Sequence, residues 1–179
     1  VKGLKVKNET ISSYLDCFID AYIISKSYRY DIKGRSYIDT PLKYYFTDIG
    51  LRNARLNFRQ QEENHIMENI IYNELIAREF NVDVGVVEYN HKDDSGKKVR
   101  TQLEVDFVVN KTEKRYYIQS ALTVSDEDKR RQEVNSLNKI DDSYAKIVVV
   151  RDNILPWRDE KGVLYINIED FLLEKINEL

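Results

Sequence analysis

The chain has 179 residues, 42% hydrophobic and 33% charged, which suits one well-filled core or a small module joined to a larger one. No apolar run is long enough to span a bilayer, and the opening VKGLKVKNET has charges but no apolar segment behind them, so neither a membrane span nor a signal peptide is expected. The net charge of −3 is uneven: residues 1–59 hold 11 Lys and Arg against 6 Asp and Glu, a balance of +5, and the remainder carries −8. Whole-chain acidity argues against a strong nonspecific grip on nucleic acid, although the basic front can still touch phosphate. The plainer reading of most of these charges is a solvated, mixed surface.

In chain order, ETISSYLDCFIDAYII reads as a helix with Thr10 as N-cap and Ile11, Tyr14, Leu15, Phe18 and Ile19 at helical spacing. AYIISKSYRYD alternates and is rich in β-branched and aromatic residues, so it reads as a strand, and IKGRSYID offers a turn at Gly34 and a return strand. A helix followed by a two-stranded wing is the pattern of a small winged-helix-like segment. Pro41 interrupts it, and LKYYFTDIGLRNARL follows as a strand end and a short helix with Asp48 as cap. A polar, weakly patterned stretch places a domain boundary near residue 60, giving units over 1–59 and 60–179.

The second unit opens with NHIMENIIYNELIAREF, a helix capped by Asn64 and apolar on nearly every face, hence packed on more than one side. Strands follow at VGVVEYN, VRTQLEVDFVVN and YYIQSAL, with turns at DDSGK and KTEK. SDEDKRRQEVNSLNKI is a helix with Ser125 as N-cap and acids in its first turn. AKIVVVRD suits a strand buried on both faces, and VLYINIEDFLLEKINEL closes as a short strand and a helix. The order points to a mixed sheet flanked by helices, of class α/β.

Several chemistries lack their residues. There is no GxxxxGK[ST] phosphate loop, no nucleophile elbow, and no zinc spacing between His65 and His91. Cys17, the single cysteine, excludes an intramolecular disulfide, makes a reducing cytoplasm the natural location, and falls on the apolar face of the first helix, where it reads as core. The remaining candidates are Glu68, Asp106 and Gln119. Asp106 and Gln119 stand 13 residues apart across a turn, so antiparallel strands bring both to one end of the sheet. Magnesium and similar hard ions favour such oxygen ligands. Asp106, Gln119 and the carbonyl of residue 120 can hold one ion, with Glu68 adding a second carboxylate. The plainer readings are a strand-end carboxylate capping a backbone N–H for Asp106, a helix residue paired with a basic neighbour for Glu68, and a satisfied amide for Gln119.

MENIIYNELIAREF, EVDFVV and YIQSA resemble the three landmarks of the restriction-endonuclease-like, or PD-(D/E)XK, nuclease superfamily. Glu68 and Leu75 match its helix, Asp106 its Asp, and Gln119 stands at the (D/E) position. Ala121 replaces the usual lysine, and Lys111, Lys114 and Lys129 are the substitutes that sequence alone offers. Over nearly the whole chain, YRYDIKGRSYIDTPLKYYFTDIGLRNA, ENIIYNEL and EVDFVV are similar to a family of predicted prokaryotic AAA+ ATPases. In that family an ATPase core precedes a winged helix and a nuclease-like domain.

The resemblance implies a PD-(D/E)XK restriction-endonuclease-like fold after a winged-helix-like segment, and an ATPase core N-terminal to it in the same chain. The initial Val fits a piece of a longer protein. The expected role is a non-catalytic accessory module that recognises DNA or a partner or arranges subunits. One alternative is a magnesium-dependent nuclease with a relocated lysine, and another is a homodimeric adaptor without DNA contact. The expected geometry is convergence of residues 68, 106 and 119 at one corner, with no ammonium group among them.

Overall fold

The computed structural model describes residues 7–59, 62–92 and 95–173. Helix α1 (Asn8–Asp20) leads into strands β1 (Ile24–Asp31) and β2 (Ser36–Phe46), then helices α2 (Ile49–Arg55) and α3 (Glu63–Ala77). Strands β3 (Asn81–Lys92), β4 (Lys98–Lys111) and β5 (Lys114–Ala121) form a meander. Helix α4 (Glu127–Glu133), a 3₁₀ turn at Leu137–Lys139, strands β6 (Ala145–Val150), β7 (Trp157–Arg158) and β8 (Leu164–Asn167), and helix α5 (Ile168–Leu173) complete it. Among the described residues no helix is long and apolar enough to cross a membrane.

All eight described strands join one sheet in the order β2-β1-β3-β4-β5-β6-β8-β7. It is mixed: β1 runs parallel to β3, β5 to β6 and β6 to β8, and the other neighbours are antiparallel. Residues 24–46 therefore extend the sheet built by the later strands, with Arg29, Tyr30 and Asp31 in register with Val84, Gly85 and Val86. Strand side chains alternate between faces, so each face gathers its own apolar layer. Phe107, Val109, Tyr116, Ile118, Ile147 and Val149 meet Ile71 and Leu75 of α3 and Phe171 of α5. Val105, Val108, Tyr117, Val148 and Val150 meet Val134 and Leu137 on the other side. The apolar run of β6 is buried on both faces, as its composition implies.

Helix ends follow local acceptors. Asp48 caps α2 through a 2.9 Å bond from the Leu51 N–H, as its position suggests. The cap of α4 is Asp126 rather than Ser125: its carboxylate accepts from Asp128 N at 2.9 Å, and a negative charge gains more than a hydroxyl at a helix N-terminus. That helix is also shorter than expected. After Glu133 the helix gives way to turns and the 3₁₀ segment, and Val134, Leu137 and Ile140 all pack in the apolar layer on that face. Thr10 and Asn64 lie inside α1 and α3, whose cap positions are Lys7 and Glu62. Cys17 is exposed, not core, because α1 buries none of its residues.

Opposite Val84, strand β4 carries an extra residue: Asp83 pairs with Val108, but Gly85 pairs with Val105. This bulge shifts the facing of Asp106 and Phe107 relative to the rest of β4. Gly85 lies against it, and a methyl group there would approach Ile32 Cδ1, Val105 Cβ and Val108 Cγ2 at 2.9 Å. Gly85→Ala is expected to lower unfolding free energy in urea by about 1–3 kcal/mol through overpacking. Unchanged stability would show that the backbone tolerates the extra carbon.

Candidate functional site

Ladder pairing between β4 and β5 ends at Phe107 and Ile118. Beyond that pair the strands part, and β5 continues alongside β6 alone. Side chains take over the lost ladder bonds. Asp106 Oδ2 accepts the Ser120 N–H at 2.8 Å, and Gln119 Oε1 accepts the Asp106 N–H at a long 3.4 Å. Ser136 Oγ donates to the same amide oxygen at 3.5 Å. Asp106 thus holds a backbone N–H where the β4–β5 ladder stops, although it lies within β4 and not at a strand end.

Glu68 reaches the corner from α3, whose register against β2 is set by the next residue. Asn69 is buried, accepts the Phe46 N–H at 2.9 Å and donates to the Phe46 carbonyl at 2.7 Å, clasping the end of β2. Asn73 adds a 3.0 Å bond to the same carbonyl. The clasp brings Lys43 and Tyr45, two residues apart and so on one face of β2, against Glu68. Lys43 Nζ lies 2.5 Å from Glu68 Oε1, and the Tyr45 hydroxyl donates to that oxygen at 2.7 Å. Tyr45 is stacked on Tyr72, with ring centroids 3.9 Å apart.

The expectation that no ammonium group stands here is therefore overturned. The lysine comes from β2, more than twenty residues before Glu68, and not from the neighbourhood of residue 121. Lys43 also binds Glu104 Oε1 at 2.9 Å, and Arg29 meets the other Glu104 oxygen at 2.8 Å. Two cations and two carboxylates alternate from α3 across the sheet. Among the lysines suggested by sequence, Lys129 lines the cleft of about 380 Å³ shared by Glu68, Asp106, Gln119 and Ser120. Lys111 and Lys114 flank the hairpin turn at the other end of β4 and β5, where Lys111 donates to the Arg78 carbonyl at 2.7 Å.

These contacts set the protonation of the corner. Burial opposes the charge on Lys43, but Glu68 and Glu104 outweigh it and raise its pKa. Burial likewise opposes ionisation of Glu104, and Lys43 and Arg29 outweigh it, holding that carboxyl below its usual range. Burial first, and Glu68 second, push the Tyr45 hydroxyl well up, so it stays a donor. Asp106 behaves differently. Burial and the nearby Glu68 charge push its carboxyl up to about 7, against the pull of the Ser120 N–H and Lys43.

As arranged, one oxygen of each carboxylate is already engaged, which leaves Glu68 Oε2 and Asp106 Oδ1 as the acidic oxygens open to an ion. Glu68 Oε1 is taken by an ammonium and a hydroxyl, Asp106 Oδ2 by a backbone N–H, and the Gln119 oxygen by two weak donors. Among the described residues no three acidic, histidine or cysteine side chains form a metal-holding group. Ala121 packs in the apolar layer with Val124, Val134 and Leu137 and also lines the cleft of Glu68 and Asp106.

Sequence reasoning missed Lys43, Tyr45, Glu104, Arg29 and Asn69. One local signal was present: Lys43 and Tyr45 share strand parity, as a pair aimed at one target would. No pattern within β2 identifies that target as α3.

Comparison with known proteins adds little about activity. A family described as a domain of unknown function (DUF8612) matches residues 1–62. An uncharacterized protein of Haemophilus influenzae is 30% identical over 167 residues, covering 93% of this chain and 38% of its own length. No solved structure matches.

The state of Asp106 gives a pH test. A carboxyl whose folded pKa is raised binds more protons when folded, so its contribution is full below its ordinary pKa near 4 and is lost as pH rises through about 7. Asp106→Asn, fixed in a neutral form, is expected to match the parent near pH 4 and to exceed it in urea stability at pH 8. A stability difference that stays constant from pH 4 to 8 would contradict the raised pKa.

Proposed function

We propose that this chain is a non-catalytic accessory module of a larger AAA+ ATPase, with a degenerate nuclease-like corner, acting in DNA or partner recognition. The observation carrying this reading is the internal neutralisation of the corner. Lys43 and Tyr45 satisfy Glu68, and Ser120 holds Asp106. A carboxylate pair that recruits a divalent ion must present free oxygens and net negative charge. Here an ammonium already occupies that electrostatic role. The ATPase assignment rests on the sequence blocks that resemble that family. It is compatible with the Haemophilus protein, 38% of which is matched by this chain, leaving most of that protein for another unit.

A specific observation favours a second reading. Lys43 beside Glu68 and Lys129 in the cleft bring amines to the corner although position 121 is Ala. Metal-dependent phosphodiester cleavage would use such a cation to stabilise developing charge. That reading would have Glu68 bind the ion through Oε2 while Lys43 keeps Oε1.

Calorimetric titration with magnesium and manganese, paired with plasmid cleavage, separates the two. The accessory reading expects no saturable metal binding at millimolar concentration and no cleavage by the parent or by Asp106→Ala. Cleavage that disappears in Asp106→Ala would establish the nuclease instead. DNA recognition is tested by gel shift with duplex and branched DNA across a salt series. Phosphate contacts predict affinity falling steeply as salt rises. Absence of a shift at low salt would leave partner recognition as the module's role.

A further inference from the structure

A second cavity lies at the hairpin end of β5, four residues before Gln119, on the face turned away from α3. It has a volume of about 510 Å³ and is walled by Tyr30, Ile140 and Tyr144, with Arg115 inside and Lys33 and Arg35 among its lining residues. That volume lies in the range of small-molecule sites.

Arg115 is held as a preorganised donor. Its Nε donates to Asn110 Oδ1 at 2.7 Å, and its guanidinium carbon sits 5.2 Å from the Tyr30 ring centre and 5.3 Å from that of Tyr144. Two rings thus flank the guanidinium, which also donates to the Tyr117 and Tyr30 hydroxyls. Among the described residues no carboxylate lies within ion-pairing distance of it, and none pairs with Lys33 or Arg35. The Asp83 carboxylate is near enough to feel this charge without pairing with it, so the guanidinium keeps a positive field that a phosphate oxygen can meet.

The turn carrying Lys33 and Arg35 is also ordered. Asp31 Oδ1 accepts the Lys33 and Gly34 N–H groups at 3.1 and 3.0 Å. A side chain at Gly34 would come within 2.3 Å of Asp31 Oδ2, so the carboxylate that orders the turn would have to move aside. Two acids share the cavity. Asp142 is occupied: it accepts the Tyr117 hydroxyl at 2.5 Å and the Tyr144 N–H at 3.2 Å. Asp141 is exposed on the wall and would oppose an anion. Tyr144 is 44% exposed, leaving ring surface free for a planar heterocycle to stack on.

We propose that this cavity binds a nucleoside 5′-phosphate, with the phosphate on Arg115, Lys33 and Arg35 and the base against Tyr144. The group comes either from a free nucleotide or from the 5′ end of a single strand. The site is separate from the carboxylate corner and does not depend on how that corner functions.

Calorimetry at low salt tests it with adenosine monophosphate, adenosine, inorganic phosphate, and a single-stranded DNA decamer with and without a 5′-phosphate. Saturable binding of adenosine monophosphate is expected, at least about tenfold tighter than either control, since adenosine lacks the charged contacts and phosphate lacks the stacked base. Arg115→Gln is expected to weaken it by about tenfold or more. Lys33→Ala/Arg35→Ala, confined to an exposed turn, should weaken it about threefold to tenfold and flatten its salt dependence. Asp141→Asn should tighten it. Preference for the phosphorylated decamer over adenosine monophosphate would assign the strand end, and the reverse a free nucleotide. No saturable binding, equal affinity for adenosine or inorganic phosphate, or affinity unchanged in both the turn variant and Asp141→Asn would overturn the proposal.

Discussion

The ammonium of Lys43, lodged between Glu68 and Glu104, is the interaction on which the carboxylate corner depends. It joins three elements far apart in sequence: β2 supplies the lysine, α3 one carboxylate and β4 the other. The side chains are only partly exposed, 26% for Lys43 and 15% for Glu68, so solvent screens the pair weakly. Removing one partner of a buried pair leaves an uncompensated charge, which is costlier than never having built the pair. Arg29 extends the alternation, so the two carboxylates at the junction of helix and sheet face two cations.

This arrangement explains why neighbouring carboxyls differ. Glu104 contacts two cations and is pulled toward its charged form. Asp106 lies deeper beside Glu68, with a backbone N–H as its direct donor, and is pushed toward the neutral form. The bulge in β4 and the parting of β4 from β5 create this inequality. They aim Asp106 into the space where the ladder stops, and Ser120 of β5 closes on it. The same strand serves the second cavity at its other end, where Arg115 is held by the Asn110 amide and by tyrosines rather than by a carboxylate.

Much of the framework was legible because it is written in local patterns. The apolar run of β6, the alternation in β1, the multi-faced apolar helix α3 and the Asp48 cap all follow from neighbours within a few residues. The nearness of Asp106 to Gln119 was legible too, since a short turn joins their strands. The lysine was not. Reading residues 1–59 as a unit apart removed Lys43 from the corner, and only the parallel pairing of β1 with β3 puts β2 in the same sheet, with Lys43 in reach of Glu68 and Glu104. Such pairing depends on a crossover through α2 and α3, which no window of sequence displays. The burial of α1 was misjudged for a related reason: an apolar stripe at helical spacing says which face would bury, not whether anything covers it. Ile11, Tyr14 and Phe18 form that stripe and all are exposed.

The most direct measurement is a double-mutant cycle on Lys43→Met and Glu68→Gln by urea unfolding at neutral pH. If the ammonium neutralises the corner, the two changes are coupled by about 1–3 kcal/mol, the double variant losing less than the sum of the singles. Additivity within about 0.5 kcal/mol would mean that Lys43 does not hold Glu68 in solution, and the neutralised corner would have to be abandoned.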